Sequence, residues 1–165
     1  MNSELDSKEV AFDKILQWLE EYGFRIDRTT RNKDSNTLMQ FEAKIYPPRE
    51  DRRFFLVIFS NKFKDSFTIQ TAITLPEEDQ MTIDKGLRKR EQDQVFIDIF
   101  RLVFAQHLNC DARFPTVDIQ KLIFIDSLRD KQFLFDSVFD LMHAMLLVES
   151  RFSELINQFY PKGEE

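Results

Sequence analysis

Glycine is nearly absent, with three copies in 165 residues. Loops that wrap closely around a phosphate depend on glycine, because only glycine lets the backbone approach and take positive φ cheaply. A glycine-rich nucleotide cradle is therefore excluded. Cysteine occurs once, as Cys110. No internal disulfide framework can form, and a reducing compartment is expected. No apolar run reaches the ~18 residues of a membrane-spanning helix. The start, Met1 to Glu9, is polar and acidic, without the basic start and apolar run of a signal peptide. These features predict a soluble cytoplasmic protein. Basic residues are also in deficit, 23 Lys and Arg against 29 Asp and Glu, for a formal charge of −6 and a pI near 5.1. Nucleic-acid affinity rests largely on phosphate neutralisation, so a dedicated DNA-binding module is disfavoured.

What the chain has in quantity is phenylalanine, 18 copies. Many lie in the last helix expected, Lys131 to Tyr160. Leu134, Val138, Leu141, Met145, Val148, Phe152, Leu155 and Phe159 alternate in steps of four and three, which puts them on one seam. A second stripe, Phe135, Phe139, Met142 and Leu146, widens the apolar face before it turns polar at Glu149 and Ser153. The helix thus reads as broadly buried at first and as a narrow seam later. It would run about 45 Å, and its far end needs a partner helix from this chain or another. Leu147 falls in the middle of the polar side, among Asp136, Asp140, His143 and Ser150. With the last-turn residues Leu155, Phe159 and Tyr160 it makes a candidate protein-contact surface.

The rest of the chain supplies a sheet and two more helices. Asp6 and Glu9 have capping-box spacing, and Phe12, Ile15, Leu16 and Leu19 share a helical face that Gly23 terminates. Alternation from Phe24, then at Met39–Ile45, the apolar run Phe54–Phe59, and alternation at Phe67–Leu75 give four antiparallel strands on short connections. Thr82 is placed to cap one long helix through Asn109. Phe96, Ile99, Phe100 and Val103 form its main face, and Val95, Ile97, Leu102 and Phe104 widen it enough to predict packing on more than one side. Ala112 to Asp126 returns to β character as one or two strands, the second being Lys121 to Asp126. The expectation is a single α+β domain, 1–165: an antiparallel sheet of about five strands with three helices, packed mainly on one face, in the order α-ββββ-α-β(β)-α.

Reactive groups are sparse. His107 and Cys110 stand three apart, but a closed zinc site wants four N or S ligands and the only other histidine is His143. A Cys–His nucleophilic pair needs a geometry that spacing alone does not supply. The carboxylates Glu20, Glu21, Glu77, Glu78, Asp79 and Asp126 are scattered and read as a solvated surface. No catalytic residue, cofactor or metal is expected, and the chain is read as not an enzyme. The one charge anomaly is the basic run Lys85, Arg88, Lys89 and Arg90, near the expected start of a helix, where cations oppose the dipole. Neighbouring acids can balance it. RNA contact through these four residues is the alternative function, beside an enzyme whose site no spacing reveals.

The element order, together with Phe114-Pro115, the stretch Ile123-Phe-Ile-Asp-Ser-Leu128 and the Phe-rich terminal helix, resembles a largely archaeal family of uncharacterised proteins, a domain of unknown function. The family's fold looks like that of the type III secretion chaperones, small dimeric α/β proteins that hold an extended segment of a client. The resemblance implies a chaperone- or adaptor-like binding module for a protein or peptide client, alone or as a homodimer, with no membrane partner. It brings no functional residues with it.

Overall fold

The computed structural model describes residues 2–31, 39–50, 52–60 and 65–159, with side chains from residue 8 onward except those of 28–31 and 39–40. Helix α1 (Asn2–Tyr22) begins ahead of the expected cap and passes through Asp6. The Asp6–Glu9 box lies outside the described side chains. Gly23 ends the helix at φ +102°, and the Phe24 N–H reaches back to the Leu19 carbonyl at 3.0 Å, closing the last turn around a left-handed residue.

Four strands follow: β1 (Arg25–Arg31), β2 (Met39–Tyr46), β3 (Phe55–Ser60) and β4 (Ser66–Thr74). The expected single long helix is instead two, α2 (Glu77–Gly86) and α3 (Lys89–Phe104). Glu77, Glu78 and Asp79 fill the first turn of α2, where negative charge suits the dipole. Thr82 is not the cap; it lies inside α2 and its hydroxyl donates to the Glu78 carbonyl at 3.0 Å. The break falls where Leu87 and Arg88 turn extended, with ψ of 141° and 150°. The Glu91 carboxylate then accepts the Arg88 N–H at 2.8 Å and restarts the helix.

The second β region is a hairpin, β5 (Asn109–Arg113) and β6 (Thr116–Phe124), turned at the cis Phe114–Pro115 bond. Strand character therefore begins well before Lys121 and stops before Asp126, which belongs to a 3-10 turn, Ile125–Arg129. Helix α4 (Lys131–Asn157) closes the described chain. The fold is α+β; the described residues form six strands in an open antiparallel sheet of order β1-β2-β3-β4-β6-β5 and four helices, in place of five strands and three helices.

The chain forms two compact units, Met1–Thr71 with Lys121–Val138, and Ala72–Gln120 with Phe139–Glu165. In the first, Phe12 of α1 stacks on Phe41 (5.4 Å) and meets Phe59 edge-on (5.5 Å), and Phe59 stacks on Phe67 (5.0 Å). Such pairs add about 0.5–1.5 kcal/mol each beyond the area they bury. Ile15, Leu16 and Leu19 are fully buried beside them. In the second, Phe96 of α3 packs between Phe114 (5.9 Å) and Phe152 of α4 (5.8 Å), with Ile83, Ile99 and Val103 buried.

Candidate binding surface

The first unit has a sheet face that its core does not use. Along β2, Phe41, Ala43 and Ile45 are buried, and Glu42, Lys44 and Tyr46 alternate with them on the other side. Pairing carries that side across the sheet: Asp27 faces Lys44, Lys44 faces Leu56, and Leu56 faces Gln70. In the next row Glu42, Ile58 and Thr68 lie opposite one another. On β6 the alternation is sharper. Ile123 is 1% exposed, while Leu122 and Phe124 on either side are 36% and 59% exposed. Phe54, Leu56, Leu122 and Phe124 are thus apolar side chains left partly exposed on the side opposite the core, with Thr68 and Gln70 between them and Ile58 already buried.

One margin of this face is aromatic and basic. The Arg25 guanidinium lies over the Tyr46 ring, 4.3 Å from its centroid, and the Lys44 ammonium lies over Phe54 at 5.2 Å. The two rings are 5.7 Å apart. Beyond them the β2–β3 turn exposes Arg49, Arg52 and Arg53. Glu50 pairs with Arg53 at 2.8 Å and accepts the Arg52 backbone N–H.

The edges of the sheet are less inviting than its face. Strand β1 exposes Arg25 and Asp27, and β5 exposes Asn109, Asp111 and Arg113, the last two paired at 2.8 Å. Charge along an edge discourages the addition of another strand.

The sequence-derived candidates disperse. Leu147 is half-buried, and Leu155 is 3% exposed, already part of the core of its own unit. Leu155 also floors an open groove of about 430 Å³ between α3 and α4, rimmed by the ion pairs Asp98–Arg101 and Arg151–Glu154. The Phe159 ring rests on Gly86 so closely that a methyl group there would overlap it. Tyr160 lies outside the described residues. The seam from Leu134 to Leu155 is buried, but Phe139 and Leu146 of the second stripe are 38% and 52% exposed, so α4 is less broadly buried than its pattern predicts. The same correction applies to α3, where Phe96, Ile99 and Val103 are buried while Ile97, Phe100 and Phe104 face out. Phe100 and Phe104 stack on each other at 5.8 Å, covering part of one another rather than a second packing partner.

The basic run does not form one patch in a single helix. Lys85 sits in the last turn of α2, where a cation suits the dipole, Arg88 caps α3, and Lys89 and Arg90 occupy its first turn. All four are exposed. His107 is exposed at φ 58°, and Cys110 is half-buried on β5, paired with Ile119. Burial, then the carboxylates of Asp111 and Asp118, push the Cys110 thiol up to about 11, the reverse of what a nucleophile needs. Among the described residues no three His, Cys, Asp or Glu side chains are grouped to hold a metal, and no helix is long and apolar enough to cross a membrane.

Residues 11–152 match the model of a family described as uncharacterized conserved protein (DUF2299). The chain belongs to that family. Its fold is shared with an uncharacterized protein from the archaeon Methanothermobacter thermautotrophicus, seen in a crystal structure. The two superpose with a TM-score of 0.72 at 20% identity, over 90% of this chain and 99% of that one. No protein among those with curated descriptions matches. Membership of the family therefore brings a fold and no activity.

Proposed function

We propose that the protein is a non-enzymatic binding module that holds an extended protein or peptide segment against the open face of its sheet. The mode resembles that of the type III secretion chaperones, whose fold the order of elements suggests. The observation that carries this reading is the outward pair Leu122 and Phe124 on β6, in the same sheet as the half-buried Leu56 of β3. A side chain moved fully out of water contributes roughly 1.5–3 kcal/mol. Two or three such anchors, set against an association cost of at least ~4 kcal/mol, support weak and reversible capture.

The test is a double substitution, Leu122→Thr with Phe124→Thr, read on an array of extended apolar peptides. Both side chains point away from the core, so the melting temperature should hardly change while binding falls by about tenfold or more. A wild-type protein that captures no peptide on the array, or a variant that captures peptides equally well, would reject the proposal.

A further inference from the structure

We infer that two copies of the chain pair along β5, antiparallel about Ala112, with the outward stripes of their α3 helices packed together beside the joined strands. None of these residues takes part in the peptide capture proposed above. Among the described residues β5 pairs with β6 alone, which leaves its other edge open. Asn109, Asp111 and Arg113 are exposed along it, and the half-buried Cys110 and Ala112 alternate with them on the side of α3. Ile97, Phe100 and Phe104 form an exposed apolar stripe on that helix. An open groove of about 920 Å³ lies between the helix and the edge, lined by Asp93, Phe96 and Ile97 and by Ala112, Arg113 and Phe114. Helices pack ~8–10 Å apart, about twice the spacing of strands. Two copies joined edge to edge can therefore lay α3 beside α3 only if each helix is set back from its edge, and the groove is that setback.

The order of charges selects a second copy of this chain. In antiparallel register about Ala112, Asp111 lies directly opposite the partner's Arg113, and by symmetry the match is made twice. Moving the centre by one residue sets Asp111 against its own copy, or Arg113 against its own, and like charges directly opposite repel. Charge on an edge keeps off a strand that lacks the complement, and a second β5 carries it. Asp111 and Arg113 pair within the chain at 2.8 Å, but both side chains are exposed, and such a pair exchanges partners at little cost. A five-residue edge alone is too small for a lasting contact, since a specific interface takes ~800 Å² from each partner. The stripe of the 16-residue α3 supplies the remaining area and its apolar centre.

Sedimentation equilibrium on the wild type and a charge-swap series decides it. The wild type should be a dimer at micromolar concentration. Asp111→Arg sets arginine against arginine at two places and should weaken association by about tenfold or more, and Arg113→Asp should do the same with carboxylates. The double variant Asp111→Arg with Arg113→Asp restores opposite charges in the same register and should recover the dimer. Ile97→Glu should give a monomer. All of these positions are exposed, so the melting temperature of the monomeric chain should hardly change. A wild type that stays monomeric at the highest concentration reached overturns the pairing. Single reversals that leave association unchanged, or a double variant as weak as the single ones, overturn the register about Ala112 and the β5 contact with it. A dimer indifferent to Ile97→Glu removes α3 from the interface and overturns the inference as stated.

Discussion

Gly86 is the last residue of α2, and the Phe159 ring lies where its side chain would be. The glycine is not there for its backbone freedom, since the one glycine with positive φ among the described residues is Gly23. It is there for a close approach. Two effects then oppose each other in Gly86→Ala. Alanine gains helix propensity, worth up to ~1 kcal/mol. The ring must swing aside, and a half-buried Phe that loses its seat forfeits roughly 1–2 kcal/mol. The net expectation is a modest loss of stability, and in a Phe159→Ala background the same substitution should stabilise. A double-mutant cycle by urea melts reads the change of sign. The same contact explains why the end of the terminal helix was misleading as sequence. Periodicity continues the seam to Phe159, but α4 stops at Asn157, and nothing in the spacing points to a glycine far back in the chain as the seat of the ring.

At the scale of the element, β6 shows what alternation can and cannot reveal. The run Leu122-Ile-Phe-Ile125 is apolar throughout, so hydrophobicity alone does not choose which side faces in. The structure turns Ile123 to the core and Leu122 and Phe124 to solvent, continuing the alternation of Val117 and Ile119 along the strand. Ile123→Ala should therefore cost ~2–5 kcal/mol, as expected for a buried large-to-small change. Leu122→Ala and Phe124→Ala should each stay within about 1 kcal/mol. Chemical denaturation of the three variants checks the order, and a large loss at Leu122 would mean that this face is covered. The helices illustrate a second limit. Ile83 and Leu87 keep helical spacing across the α2–α3 break, so the period runs on where the backbone turns extended. The one residue type that marks the stop is Gly86, the last residue of α2, immediately before Leu87 and Arg88 turn extended. The acids Glu77–Asp79 mark the true start, five residues ahead of the cap that Thr82 suggests.

For the whole molecule, the fold class was legible because the strands alternate and the terminal seam is long and regular. The open face was not, because its residues come from distant parts of the chain. Phe54 and Leu56 are separated from Leu122 and Phe124 by two strands and two helices, and they share a face only because β6, not β5, lies beside β4. Three elements, β4, β6 and α4, are each divided between the two compact units. Breaking a strand or a helix in mid-length would strand its hydrogen-bonding groups in whichever unit stayed folded, which opposes independent unfolding. Each unit carries its own probe. Trp18 of α1 lies in the first, with the Lys14 ammonium 4.6 Å from its ring, and Cys110 lies in the second. Because its thiol is pushed up to about 11 in the folded chain, Cys110 should react with iodoacetamide at mildly alkaline pH far more slowly than in the unfolded chain, by roughly a hundredfold from its thiolate fraction alone. Trp18 fluorescence and Cys110 labelling followed through one urea titration should give the same midpoint. Two separate midpoints would show that the units unfold one after the other, and that their shared strands and helix do not bind them into a single cooperative structure.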